Sequence, residues 1–171
     1  MSVFDRETGV DIQMPWEHHL VHDGKLFSVS AYQTATSAQN VNMLVYMTAA
    51  SSEIHTVFAV ATGGQCLITL YEGVTTSADG TTQTARSMDR DKPGTPKSHF
   101  SLGCTWSTNT EIILHRTLIP GGDSQQTRVG GAGRNDVEWI FAPGNKYLFN
   151  IQNLSGNTIT TSINLTFYEM D

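Results

Sequence analysis

Apolar and polar residues alternate almost without error over residues 146–153 of this chain and again over 158–169. Tyr147, Phe149 and Ile151 share one parity, as do Ile159, Ile163, Leu165 and Phe167, while Thr160, Ser162, Asn164, Thr166 and Tyr168 take the opposite face. A period of two belongs to a half-buried strand, because successive side chains leave opposite faces of a pleated backbone. Leu154-Ser155-Gly156-Asn157 supplies turn residues between the two runs, so the pair reads as a terminal hairpin. The same period recurs upstream. Strands are predicted over 25–32, with Phe27, Val29 and Ala31 on one side, and over 41–48, 53–62, 66–72, 98–107, 111–119 and 136–142. Connections at 49–52, 63–64, 108–110 and 143–145 are short and rich in Gly, Ser and Asn, as hairpins require, and they predict antiparallel pairing.

Two connections break that rule. Residues 73–97 contain Asp79-Gly80, Pro93-Gly94 and Pro96, and residues 120–135 contain Gly121-Gly122, Gly130-Gly131 and Gly133. Loops of this length inside a compact domain are usually functional surfaces or interface elements. Strands with no helical period and two long crossovers predict an all-β fold, a two-sheet antiparallel jelly-roll sandwich. An immunoglobulin-like sandwich ranks second, because its spaced Cys, Trp, Cys pattern is missing. The parity of each run predicts a core of Phe100, Leu102, Trp106, Trp139, Phe141, Phe149, Ile151, Ile163, Leu165 and Phe167. Residues 1–22 have no sustained period and include Pro15, so they read as an N-terminal arm ahead of one sandwich domain over 23–171.

A chain of 171 residues suits one domain with a sizeable core. Its 15% of charged residues, with abundant Thr, Ser, Gly and Asn, fits a β protein with a neutral, hydroxyl-rich outer face. The net charge of −6 and a pI near 5.4 argue against nucleic acid as a partner, which needs clustered Lys and Arg to release counterions. Neither a basic start followed by an apolar stretch nor a long apolar run is found, so the expectation is synthesis in the cytosol and no membrane partner. Cys66 and Cys104 each fall at an apolar parity position and read as buried free thiols rather than a disulfide. Asn153-Leu154-Ser155 and Asn164-Leu165-Thr166 match the glycosylation acceptor pattern, which has no meaning without secretion.

Candidate chemistry is sparse. Glu17-His18-His19-Leu20-Val21-His22 gathers three imidazoles beside a carboxylate, but it lacks the His-Glu-x-x-His order of a zinc protease helix, and adjacent His18 and His19 point apart. His55, His99 and His115 stand on separate strands, so the paired His of a cupin metal site are missing. Asp79-Gly80-Thr81, Asp89-Arg90-Asp91 and Gly121-Gly122-Asp123 do not repeat the ligand spacing of a calcium loop and read as solvated loop charges. Gly130-Gly131-Ala132-Gly133-Arg134 superficially resembles a phosphate-binding loop, yet it lacks the Lys-Ser/Thr ending and precedes a strand. No Gly-x-Ser-x-Gly elbow frames a nucleophile. The expectation is therefore no catalytic residue, no metal and no cofactor. Arg86, Arg90, Arg128 and Arg134 all fall in the long connections, where they serve either loop solubility or a subunit interface, the role Arg favours.

A set of short motifs spread over 17–169 carries a resemblance: His22-Asp23-Gly24-Lys25, Leu70-Tyr71-Glu72-Gly73, Ile119-Pro120-Gly121-Gly122, Gly133-Arg134, Glu138-Trp139-Ile140, the run 147–153 and Phe167-Tyr168-Glu169. Together they resemble the jelly-roll decoration, or cement, proteins of tailed bacteriophages. The resemblance implies a non-enzymatic virion protein, made in the host cytoplasm. It implies a homotrimer on the outer capsid surface that binds the major capsid protein and clamps neighbouring capsomers. A competing class is the receptor- or carbohydrate-binding jelly roll of a phage tail fibre or spike, which calls for exposed aromatics in a shallow groove. The arm precedes the resembling region, and its composition makes Met14, Pro15 and Trp16 the candidate capsid-docking residues, an apolar cluster unsuited to water. Folding of Trp16 back onto its own sheet or a sister subunit is the alternative.

Overall fold

A computed structural model describes residues 2–4, 11–13, 16–48, 52–107, 111–120, 132–133 and 138–170. Its elements begin with β1 (Ser2–Phe4), β2 (Asp11–Gln13), α1 (Trp16–His22), β3 (Leu26–Ala35), β4 (Asn40–Tyr46), β5 (Glu53–Thr62), β6 (Cys66–Glu72), β7 (Thr75–Ala78), β8 (Thr81–Gln83) and β9 (Arg86–Ser87). They continue with β10 (His99–Leu102), β11 (Thr105–Ser107), β12 (Ile112–Ile119), β13 (Ala132–Gly133), β14 (Trp139–Phe141), β15 (Lys146–Asn153) and β16 (Ile159–Met170).

Two antiparallel sheets form the body. One runs β12-β6-β15-β4-β10-β8, and the other runs β13-β5-β16-β3-β9, with β14 also paired to β5. Eight long or central strands, taken in chain order as β3, β4, β5, β6, β12, β14, β15 and β16, give sheet orders first-eighth-third-sixth and second-seventh-fourth-fifth. That order is the jelly roll, two interlocked Greek keys.

The connections differ from the predicted hairpins. β15 and β16 do not pair with each other: β15 lies between β4 and β6, and β16 lies between β3 and β5. The joins β3–β4, β4–β5, β5–β6, β14–β15 and β15–β16 all cross from one sheet to the other. Alternation says only that a strand has one apolar face; crossing brings two such faces together, whereas a hairpin would leave both needing a cover. Phe58 meets Phe149 with centroids 5.0 Å apart, Phe100 meets Phe167 at 4.9 Å, and Phe141 stacks on Tyr147 at 4.0 Å, each pair spanning the two sheets. Such side chains are worth roughly 1.5–3 kcal/mol each when fully buried.

Most of the predicted core is in place. Phe100, Phe141, Phe149, Ile151, Ile163, Leu165 and Phe167 are buried there, with Leu102 and Trp139 packed against it. Trp106 belongs elsewhere. The predicted strand 98–107 breaks at Gly103, whose φ of 77° turns the chain from β10 out of the sheet into β11. β11 pairs with β7 as a ribbon, and Val74 and Cys104 bury against Leu44 and Leu148, with Tyr71 and Trp106 at the margin. Both faces of the sheet are therefore covered at Met43-Leu44-Val45 and Tyr147-Leu148-Phe149, where alternation gives way to continuous apolar runs. Residues 73–97, predicted as a loop, contribute strands β7, β8 and β9. β8 extends one sheet beyond β10, and β9 extends the other beyond β3.

The end of the predicted arm is ordered against the sandwich. α1 buries Leu20 with Leu26 and Tyr168. Gly24 N–H donates to the Val21 carbonyl at 2.9 Å and Lys25 N–H to the Leu20 carbonyl at 3.0 Å, a paired closure of the last turn that needs a left-handed residue. Gly24 supplies it at φ +67°, and a Cβ there would lie 2.7 Å from the Lys92 carbonyl oxygen.

Candidate functional site

Of the predicted interface residues, Arg86 and Arg90 are among those described. Arg86 is exposed on β9, beside β3 at one edge of the sandwich, and Arg90 is exposed shortly after it; neither has an ion pair among the described residues. Arg128 and Arg134 lie outside the described residues; in sequence Arg128 falls between β12 and β13 and Arg134 directly follows β13, which pairs with β5. In their sheet orders β12 and β13 are the ends opposite β8 and β9. Met14 and Pro15 also lie outside the described residues, and Trp16 opens α1. His18 and His22 approach to 3.0 Å between Nε2 atoms, while His19 turns to Asp23 at 3.5 Å. Among the described residues, no group of three or more His, Cys, Asp or Glu side chains is placed to hold a metal ion. No helix there is long and apolar enough to cross a membrane.

Two kinds of surface stand out. The outer face of the β5-β16-β3 sheet carries cross-strand rows Ser28–Thr166–Val57, Ser30–Asn164–Ala59 and Tyr32–Ser162–Ala61, followed by Thr34–Thr160. No member of these rows is charged, and Tyr32 is 76% exposed. The opposite edge is more apolar: Ile112, Ile113 and Leu118 on β12 and Ile140 on β14 are exposed.

Among the described residues, a concavity lies on the outer face of the other sheet, where the β7–β11 ribbon leaves it open. A cavity of about 300 Å³ is lined by Leu44, Tyr46, Asp79, Thr82, His99 and Ser101 among others. Tyr46 and His99 are register partners across β4 and β10, with ring planes 26° apart. Lys146, the register partner of Tyr46 on β15, holds its Nζ 5.1 Å from the Tyr46 ring centroid. The same Nζ donates to Asp79 Oδ1 at 2.8 Å, and Thr76 Oγ1 donates to that oxygen at 2.5 Å. These bonds, the one from Lys146 first, hold the Asp79 carboxyl below the usual range and keep it ionised. Ser101 Oγ donates to the Asp79 carbonyl at 2.5 Å, pinning the turn to the sheet. Gly80 permits this approach, since a Cβ there would run into the Leu102 carbonyl oxygen.

No family model and no curated protein sequence matches this chain. In the sequence Asp79-Gly80-Thr81 reads as a solvated loop charge and gives no sign of the cavity. Its signal was present but split: Tyr46, His99 and Lys146 occupy the outward parity of three different strands, and only the pairing of those strands brings them side by side.

Proposed function

We propose that the chain is a non-enzymatic virion structural protein that binds the outer surface of a tailed-phage capsid as a homotrimer and stabilises contacts between capsomers. The observation that carries this reading is that β8 and β9, from the 73–97 segment, and β12 and β13, which flank the second long connection, end the two sheets at opposite edges. A closed ring of three needs a contact in which one patch meets a different patch on the next protomer. The segment 73–97, with Arg86 and Arg90 exposed, supplies one patch. The connection bearing Arg128 and Arg134, together with exposed Ile112, Ile113 and Ile140, supplies the other. A jelly roll whose two sheets close on one shared core is a rigid body suited to clamping, and the uncharged rows beside Tyr32 offer a face that presents no charge to a partner. The arm, through Met14, Pro15 and Trp16, adds the anchor to the major capsid protein.

Capsids that lack the protein provide the test. Purified chain mixed with capsids of the phage that encodes it should co-sediment to a saturable, symmetric stoichiometry, and a chain lacking residues 2–16 should not. Absence of co-sedimentation by the full chain overturns the capsid role.

A further inference from the structure

We propose that the cavity between Tyr46, His99 and the 79–82 turn is a binding site for a neutral hexose unit. The charges decide against an ionic ligand: Asp79 and Lys146 neutralise each other at 2.8 Å, and the other side chains used here are uncharged or imidazole. The half-buried Tyr46 ring and the exposed His99 ring stack side by side on neighbouring strands, their planes 26° apart, and give the cavity an aromatic side against which the C–H groups of a pyranose can pack. Hydrogen-bonding groups converge from the other side. Asp79 takes its two side-chain donors on Oδ1, so Oδ2 is an acceptor with no partner among the described residues. The Thr82 hydroxyl is exposed at the rim. A carboxylate oriented by a lysine and a threonine accepts well from vicinal sugar hydroxyls. The volume, about 300 Å³, lies at the lower end of small-molecule sites and suits one sugar ring.

The site is built, not incidental. Gly80 and the Ser101 bond fix the turn that carries Asp79, and three neighbouring strands fix Tyr46, His99 and Lys146. It stands on the face opposite the uncharged rows, so the proposal does not depend on the capsid role.

Glucose, galactose, mannose and N-acetylglucosamine, each titrated into the ¹⁵N-labelled full chain, test this. At least one should shift the amide resonances of Tyr46, Asp79, Thr82 and His99, with a dissociation constant on the order of millimolar for a ligand of about a dozen heavy atoms. Tyr46→Ala and Asp79→Asn should each weaken binding about tenfold or more, with His99→Ala as a second wall variant, and circular dichroism should confirm that each folds. An oligosaccharide of the responding hexose that binds more tightly than the monomer assigns the source as a glycan chain; equal affinity assigns the free sugar. Failure of all four sugars to shift these resonances overturns the proposal, as does undiminished binding by folded Tyr46→Ala and Asp79→Asn.

Discussion

Phe149 has no exposed surface and packs its ring on Phe58 from the facing sheet, so truncation leaves a hole that neither rigid sheet can close. Phe149→Ala should lose about 3–5 kcal/mol of unfolding free energy in urea titration. Cys104 shows how burial sets chemistry at one residue. Its thiol is pushed up to about 11 by burial and, secondarily, by the nearby Asp79 charge. Ordinary ionisation at 9.0 in the unfolded chain and about 11 in the folded one means that the folded state keeps the proton longer. The resulting stability is whole below pH 9.0 and is lost as the pH climbs through about 11. The urea midpoint should therefore fall over that window, and Cys104→Ala should flatten the fall. Burial pushes the Cys66 thiol up as well, so both should resist iodoacetamide until the chain unfolds.

Among the elements, the C-terminal end of the long insertion is tied to the sandwich by a buried carboxylate. Glu169 on β16 accepts from Lys97 N–H and Ser98 N–H at 3.0 Å and from Ser98 Oγ at 2.7 Å. Glu169→Gln removes the charge and turns one acceptor into a donor facing donors. It should cost about 1–3 kcal/mol and raise amide exchange at Lys97 and Ser98 more than at the centre of β16. The N-terminal segment divides differently. α1 buries Leu20 beneath Leu26 and Tyr168, so Leu20→Ala should destabilise the domain by about 2–5 kcal/mol. Deleting residues 2–15 leaves that contact intact, and the melting temperature should stay within a few degrees. Equal damage from both changes would place residues 2–15 in the domain as well.

At the scale of the molecule, a ring built from unlike edges makes a definite demand on mass and on side chains. Light scattering should give three times the 18.7 kDa chain mass at micromolar concentration. Arg86→Ala should weaken assembly more than Lys92→Ala, because truncating an interfacial guanidinium strands its partner on the next protomer. A uniform monomer would remove the free trimer.

The two-residue period that recurs from 25–32 to 158–169 determined, by itself, that the chain is all-β, which face of each strand is apolar, and the core positions Phe100, Phe141, Phe149, Ile151, Ile163, Leu165 and Phe167. These are local facts, since the pleat ties side-chain direction to sequence parity. The two long connections also announced the jelly roll. Only the tertiary structure decided how strands were joined, because an alternating strand looks the same in a hairpin and in a crossing between sheets. The break at Gly103, the ribbon that covers Leu44 and Leu148, and the docking of Leu20 were hidden for the same reason: each depends on what a distant segment does with an exposed face. So does the cavity. Tyr46, Asp79, His99 and Lys146 are scattered through the sequence with no motif among them, and their proximity arises from the register of β4, β10 and β15, which long-range hydrogen bonding sets.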